Sequence, residues 1–233
     1  MSVQIDYNNQ GRERIMKYIA NIIRILFLAL FLLLLANGKV MLWLALFAIS
    51  LIAALIFGRV YCGYVCPMNT LMIPTEWMSK KLNIQTSTTP KWLRNGYFAW
   101  ISLGICVAVV LMSKKLLHID LPILPFWLVI SVLVTLRYKP EVFHNLICPF
   151  GTLQRLFGRF ARLSEQVDKS TCIGCKLCEK ACPSNAIAVS AEDNKAVINT
   201  MLCHQCTKCE QVCPKDAIRY KKTKYISTYN SSN

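Results

Sequence analysis

Eight of the twelve cysteines in this 233-residue chain fall into one pattern written twice, and that pattern limits the fold more than any other feature. Cys172, Cys175, Cys178, Cys182 and Pro183 spell C-x-x-C-x-x-C-x-x-x-C-P, and Cys203, Cys206, Cys209, Cys213 and Pro214 spell it again at an offset of 31 residues. Three thiolates spaced by two residues can wrap one iron–sulfide cubane, while the fourth reaches across to the other. The spacing therefore assigns Cys172, Cys175, Cys178 and Cys213 to one [4Fe-4S] cluster, and Cys203, Cys206, Cys209 and Cys182 to a second. Paired structural zinc sites, with four ligands each, leave the third C-x-x step unexplained.

The repeat continues past the ligands, since Cys182-Pro183-Ser184-Asn185-Ala186-Ile187 aligns with Cys213-Pro214-Lys215-Asp216-Ala217-Ile218. Residues 168–220 resemble the bacterial two-cluster ferredoxin family, which implies a small α+β domain. Thiolate ligands require a reducing compartment.

The remainder is a different material. A hydrophobic content of 55% and a mean hydropathy of +0.39 are too apolar for an ordinary soluble protein. Four apolar runs, Ile15–Ala36, Val40–Gly58, Tyr97–Ser113 and Leu121–Tyr138, predict four transmembrane helices in two hairpins. Arg24 is expected to snorkel from the first run to the interface. The net charge of +15 is spread along the flanks of these runs and is not gathered in a stripe, which argues for lipid and against nucleic acid as partner. Arg12, Arg14, Lys17, Lys80, Lys81, Lys91, Arg94, Arg137, Lys139, Arg155, Arg159 and Arg162 lie on one side, against Lys39, Lys114 and Lys115 on the other. The positive-inside rule then puts both termini and the cysteine domain in the cytoplasm of a multi-pass protein of the cell membrane. The expected units are an N-terminal cytoplasmic segment, 1–14, a four-helix membrane domain, 15–167, the two-cluster domain, 168–220, and a disordered tail, 221–233.

A second repeat has an offset of 82 residues: Cys66-Pro67 and Thr70-Leu71 match Cys148-Pro149 and Thr152-Leu153. Each proline disfavours helix at the cysteine before it and opens the next helix, so Cys66 and Cys148 should sit as helix caps in the positive end of a dipole. The position matching Cys62 is His144, so Cys62, Cys66, His144 and Cys148 form a candidate third centre, either a metal or cluster site or a redox pair of thiols. The segment 152–166 reads as an amphipathic helix lying on the membrane surface, and 69–83 as its less regular counterpart anchored by Trp77. Cys106 reads as a packing residue. His118 and His204 receive no role, and the few histidines do not support a bis-histidine haem.

From Arg12 to Tyr220 the combination resembles the NapH-type family, which includes the NosR and CcoG types. The resemblance implies a quinol dehydrogenase component moving electrons between the quinol pool and a redox partner. Residue 144 departs from that family's second C-x-x-x-C-P motif, being histidine. A copper-ion reductase or maturation factor receiving the metal at Cys62, Cys66 and Cys148 is the alternative.

Overall fold

The computed structural model describes residues 2–86, 93, 96–113, 115 and 123–223, with side chains from residue 15 onward. Lys91, Arg94, Lys114, His118, the start of the expected fourth run and the tail from residue 224 lie outside the described residues, as do the Arg12 and Arg14 side chains.

The chain is mostly helical. Helix α1 runs unbroken over Ser2–Ala36, so the expected N-terminal segment is continuous with the first apolar run. Helix α2 is Val40–Phe57. The apolar part of α1, 22 residues, and α2, 18 residues, are each long and apolar enough to cross a membrane. Helices α4 (Tyr97–Met112) and α5 (Ile123–Arg137) are apolar but shorter, at 16 and 15 residues.

Between α2 and α3 (Pro67–Lys81) lies one turn of π-helix, Tyr61–Val65, closed by the Cys66 N–H donating to the Tyr61 carbonyl at 2.9 Å. After α5 come the short α6 (Pro140–Val142), a second π turn over Phe143–Ile147, and α7 (Pro149–Gly158). Here the Cys148 N–H donates to the Phe143 carbonyl at 2.8 Å. Proline lacks an N–H and drives its predecessor to extended backbone, which ends each turn at cysteine. Cys66 has φ −66° and ψ 118°, and Cys148 φ −68° and ψ 117°, so the two turns are conformational copies. The repeated threonines share a job: Thr70 and Thr152 each donate a side-chain hydrogen bond to the carbonyl of the preceding cysteine.

The helices after the turns cross to the opposite hairpin. Helix α3 packs on α5, where Ser79 Oγ donates to the Leu136 carbonyl at 2.6 Å and Arg137 Nη1 to the Ile84 carbonyl at 2.9 Å. Helix α7 packs on α2 and α4, with Gln154 Nε2 donating to Ser50 Oγ at 2.7 Å. Phe31, Trp43, Phe47, Tyr61, Met68, Met72, Trp127 and Phe143 fill the core between the turns.

Two expectations are corrected. The helix predicted over 152–166 stops at Gly158, and Leu163–Val167 forms strand β1, antiparallel to β4 (Ile218–Lys222). Arg24 does not snorkel: it is 6% exposed, donates from Nε to the Gly63 carbonyl at 2.9 Å, and lies over the Tyr64 ring. The open carbonyl left by the π turn gives the guanidinium a closer acceptor than the interface.

The cysteine-rich part builds a second small core. Strands β2 (Ile187–Val189) and β3 (Ala196–Ile198) pair antiparallel, and helices α8 (Leu177–Ala181) and α9 (Lys208–Gln211) carry the third cysteine of each run. Lys176 and Thr207, and likewise Asn185 and Asp216, are left-handed at matching positions of the repeat.

Candidate metal centres

Cys172, Cys175, Cys178 and Cys213 line one small cavity, closed by Val189, Ala196, Pro214 and Ile218. Cys213 thus joins the three cysteines of the other run. In the second group, burial first and then neighbouring thiols push Cys203 and Cys209 up; burial also raises Cys206. Cys182 is among the neighbours acting on all three. Cys178 is pushed up to about 11 by burial, with Cys175 and Cys172 adding to it. Such thiols ionise only beside a strong local cation, which iron supplies.

Backbone donors already point at the sulfurs. Ala186 and Ala217, four residues after Cys182 and Cys213, donate to those Sγ atoms at 3.2 and 3.3 Å; Gln205 donates to Cys203 Sγ at 3.4 Å, and Ala196 to Cys172 Sγ at 3.5 Å. Hydrogen bonds to cluster sulfurs are one of the terms that set reduction potential. Among the described residues, no three His, Cys, Asp or Glu side chains converge closely enough to hold a single metal ion. A cubane spreads its four thiolates around a larger body, so the donor set fits a cluster better than zinc.

The second cysteine group is docked against the two π turns. Arg59 is fully buried and donates from Nη1 to the carbonyls of Met201 and Leu202 at 3.2 and 3.4 Å, and from Nη2 to Cys62 Sγ at 3.8 Å. Gly63 approaches the His204 carbonyl so closely that a Cβ there would lie 2.4 Å from it, so only glycine fits. The His144 and His204 rings meet edge to face at 4.6 Å, and Asn145 Nδ2 donates to the Ser184 carbonyl at 2.7 Å. Both turns therefore hold the domain, the first through the ligand loop around His204 and the second also through the turn after Cys182.

Of the candidate third centre, Cys62, Cys66 and Cys148 share one buried core and influence one another electrostatically. Burial pushes Cys66 up and Cys148 up to about 12, with Cys62 raising both. Cys148 caps α7 as expected, accepting from the Gly151 N–H at 3.3 Å; Cys66 makes no side-chain cap bond to α3. His144 Nε2 lies 3.2 Å from Asn69 Oδ1, and burial followed by Arg59 lowers its pKa to about 3. It is a neutral, hydrogen-bonded ring.

Sequence comparison agrees with this division. A family model described as 4Fe-4S binding domain matches twice, over residues 39–85 and 120–165, and one described as 4Fe-4S dicluster domain matches 171–217. The ferredoxin-type protein NapH of Haemophilus influenzae is 27% identical over 58% of this chain and 51% of its own length. The methylamine utilization ferredoxin-type protein MauN of Paracoccus denitrificans is 27% identical, covering 61% of this chain and 54% of its own. The 4Fe-4S family models and these ferredoxin-type relatives support a NapH-type 4Fe-4S protein. An uncharacterized protein of Methanocaldococcus jannaschii is 29% identical over 66% of this chain and 63% of its own length. The matched region thus spans between half and two thirds of these relatives. No solved structure matches.

Sequence reasoning missed Arg59, Asn69, Glu165, Gln205 and the contact made by His204. Glu165 is fully buried, both its carboxylate oxygens lack a partner among the described residues, and burial followed by Glu210 raises its pKa to about 7. Arg59 lies just before Cys62, and Gln205 between Cys203 and Cys206; their closeness to the motifs is the signal the sequence offered.

Proposed function

We propose that this iron–sulfur electron-transfer protein moves electrons between a membrane quinol pool and a redox partner protein. Its clusters are held by Cys172, Cys175, Cys178 and Cys213 and by Cys203, Cys206, Cys209 and Cys182. When bound, two such clusters supply a pair of one-electron carriers, the step-down that a two-electron quinol donor needs. In this reading α1, α2, α4 and α5 all cross the membrane, the shorter pair with local thinning, and both termini and the cysteine domain are cytoplasmic.

The observation that carries the reading is the docking. The Cys203 loop is fastened to the membrane-side turns by Arg59, Gly63 and the two histidines, while Cys175 on the other quartet is exposed and flanked by exposed Ile173 and Leu177. One quartet faces the helices and the other faces outward, where a partner can dock. The copper reading draws on the buried thiols Cys62, Cys66 and Cys148, but they do not converge on a single ion, so electron transfer is preferred.

The test is iron and sulfide analysis of anaerobically purified protein, followed by electron paramagnetic resonance on adding a short-chain quinol in nanodiscs. Two interacting cluster signals that change with quinol are expected. Intact clusters indifferent to every quinol and quinone would refute the proposal.

A further inference from the structure

A cleft of about 640 Å³ opens between α1 and α2, and its walls change character along its length. Phe27, Leu46, Ile49, Ala53 and Phe57 form an apolar flank on the two membrane-length helices. Its other end is made by the cysteine domain: Glu165, Gln205, Thr207 and Tyr220. That size, a largely apolar lining and a few convergent polar groups are the usual features of a small-molecule site.

The polar end is built. Gln205 is 3% exposed; its Oε1 accepts from the Glu165 N–H at 3.1 Å and its Nε2 donates to Ser164 Oγ at 2.9 Å. Gly58, at φ +72°, lets the α2 terminus sit against it, because a Cβ there would meet Gln205 Nε2 at 2.6 Å. Tyr220 donates from its hydroxyl to the Phe57 carbonyl at 3.0 Å, which fixes β4 to the same terminus. Within this frame the Glu165 carboxyl is wholly buried with both oxygens unpartnered among the described residues. A carboxyl group accepts a hydrogen bond from a quinol hydroxyl and, when protonated, donates one to a quinone carbonyl.

We propose that this cleft binds the ring of a quinol or quinone at Glu165, Gln205 and Tyr220, with the isoprenoid tail lying along α1 and α2. The inference rests on the quinol-pool reading above and adds its location. Gln205 makes the location apt: its side chain forms the ring end, while its own backbone N–H donates to Cys203 Sγ at 3.4 Å. A ring seated there is bound by a residue that lies two positions after the cluster ligand Cys203 and immediately before Cys206.

The experiment uses the full, cluster-loaded chain in nanodiscs and an azido-labelled short-chain ubiquinone, with mapping of the photolabelled peptides and titration of decylubiquinone as competitor. Labelling of peptides that contain Phe27, residues 46–65, Glu165 or residues 205–220 is expected. Ala53→Trp, at an exposed position that fills the apolar flank, should weaken binding at least tenfold, and Glu165→Gln at least threefold, both with unchanged iron content. Saturable labelling elsewhere, affinity untouched by Ala53→Trp, or competition by phospholipid as effective as by decylubiquinone would overturn the site. Cluster signals that still respond to quinol while the label lies elsewhere leave the electron-transfer reading standing. Labelling in the cleft with cluster signals that ignore quinol refutes that reading and keeps the site.

Discussion

Replacing Arg59 by methionine keeps the aliphatic stem that packs beside Gly158 and removes only the guanidinium. The two bonds from Nη1 to the Met201 and Leu202 carbonyls, at 3.2 and 3.4 Å, are long for charge-assisted pairs, so each is worth about 1.5 kcal/mol, the low end for such bonds. Together they contribute about 3 kcal/mol, or roughly two orders of magnitude in the docking equilibrium. Against this stands the burial of a cation with no carboxylate partner among the described residues, a cost of several kcal/mol unless negative charge lies nearby. Thiolate-ligated clusters bring that charge. Arg59→Met should therefore speed hydrogen exchange at the amides of 61–66 and 203–207 about a hundredfold in cluster-loaded protein, and change it little or slow it after iron is chelated. Unchanged exchange in the loaded variant would show that the guanidinium does not hold the two parts together.

Gly63→Ala places a methyl against the His204 carbonyl; overpacking of about 1–3 kcal/mol should displace that loop and lower iron occupancy and signal from the Cys203 group while the Cys172 group persists. Cys182→Ser should remove the cluster held by Cys203, Cys206 and Cys209 and spare the one beside its own run, measured by iron content and paramagnetic resonance; loss of the opposite cluster would refute the crossing. His144 has its pKa lowered to about 3 when folded against about 6.5 when unfolded, so the unfolded chain binds more protons between those values and stability falls as pH drops through the window. From pH 6.5 to pH 5 the loss is about 1–2 kcal/mol, and His204, lowered by its own burial, acts in the same direction. Denaturant midpoints should fall accordingly in wild type and less in His144→Gln, whose uncharged side chain replaces a titrating ring.

The cysteine spacing, the two Cys-Pro turns and the apolar runs were legible because each is written in local residues. Proline alone tells that Cys66 and Cys148 leave the helix, and both do so with matching backbone angles. The strand at Leu163–Val167 was not legible, because Leu163 continues the helical apolar spacing of α7, and only pairing with distant Ile218–Lys222 makes the segment extended. Arg24 was misread for a similar reason: the acceptor that draws it inward belongs to Gly63, on another element. His204 and Glu165 carry no spacing signal at all; their burial comes from the docking of one unit on another.

The crossing of α3 onto α5 and of α7 onto α2 also bears on how the chain is made. When Pro67–Lys81 leaves the ribosome, its packing surface is still unsynthesised, and it must wait until Ile123–Arg137 has emerged. Neither hairpin can finish its interior alone. Cutting the chain between them and expressing the pieces separately should yield two protease-sensitive fragments that become resistant only when both are made in the same membrane, so that cluster loading waits on assembly of the whole.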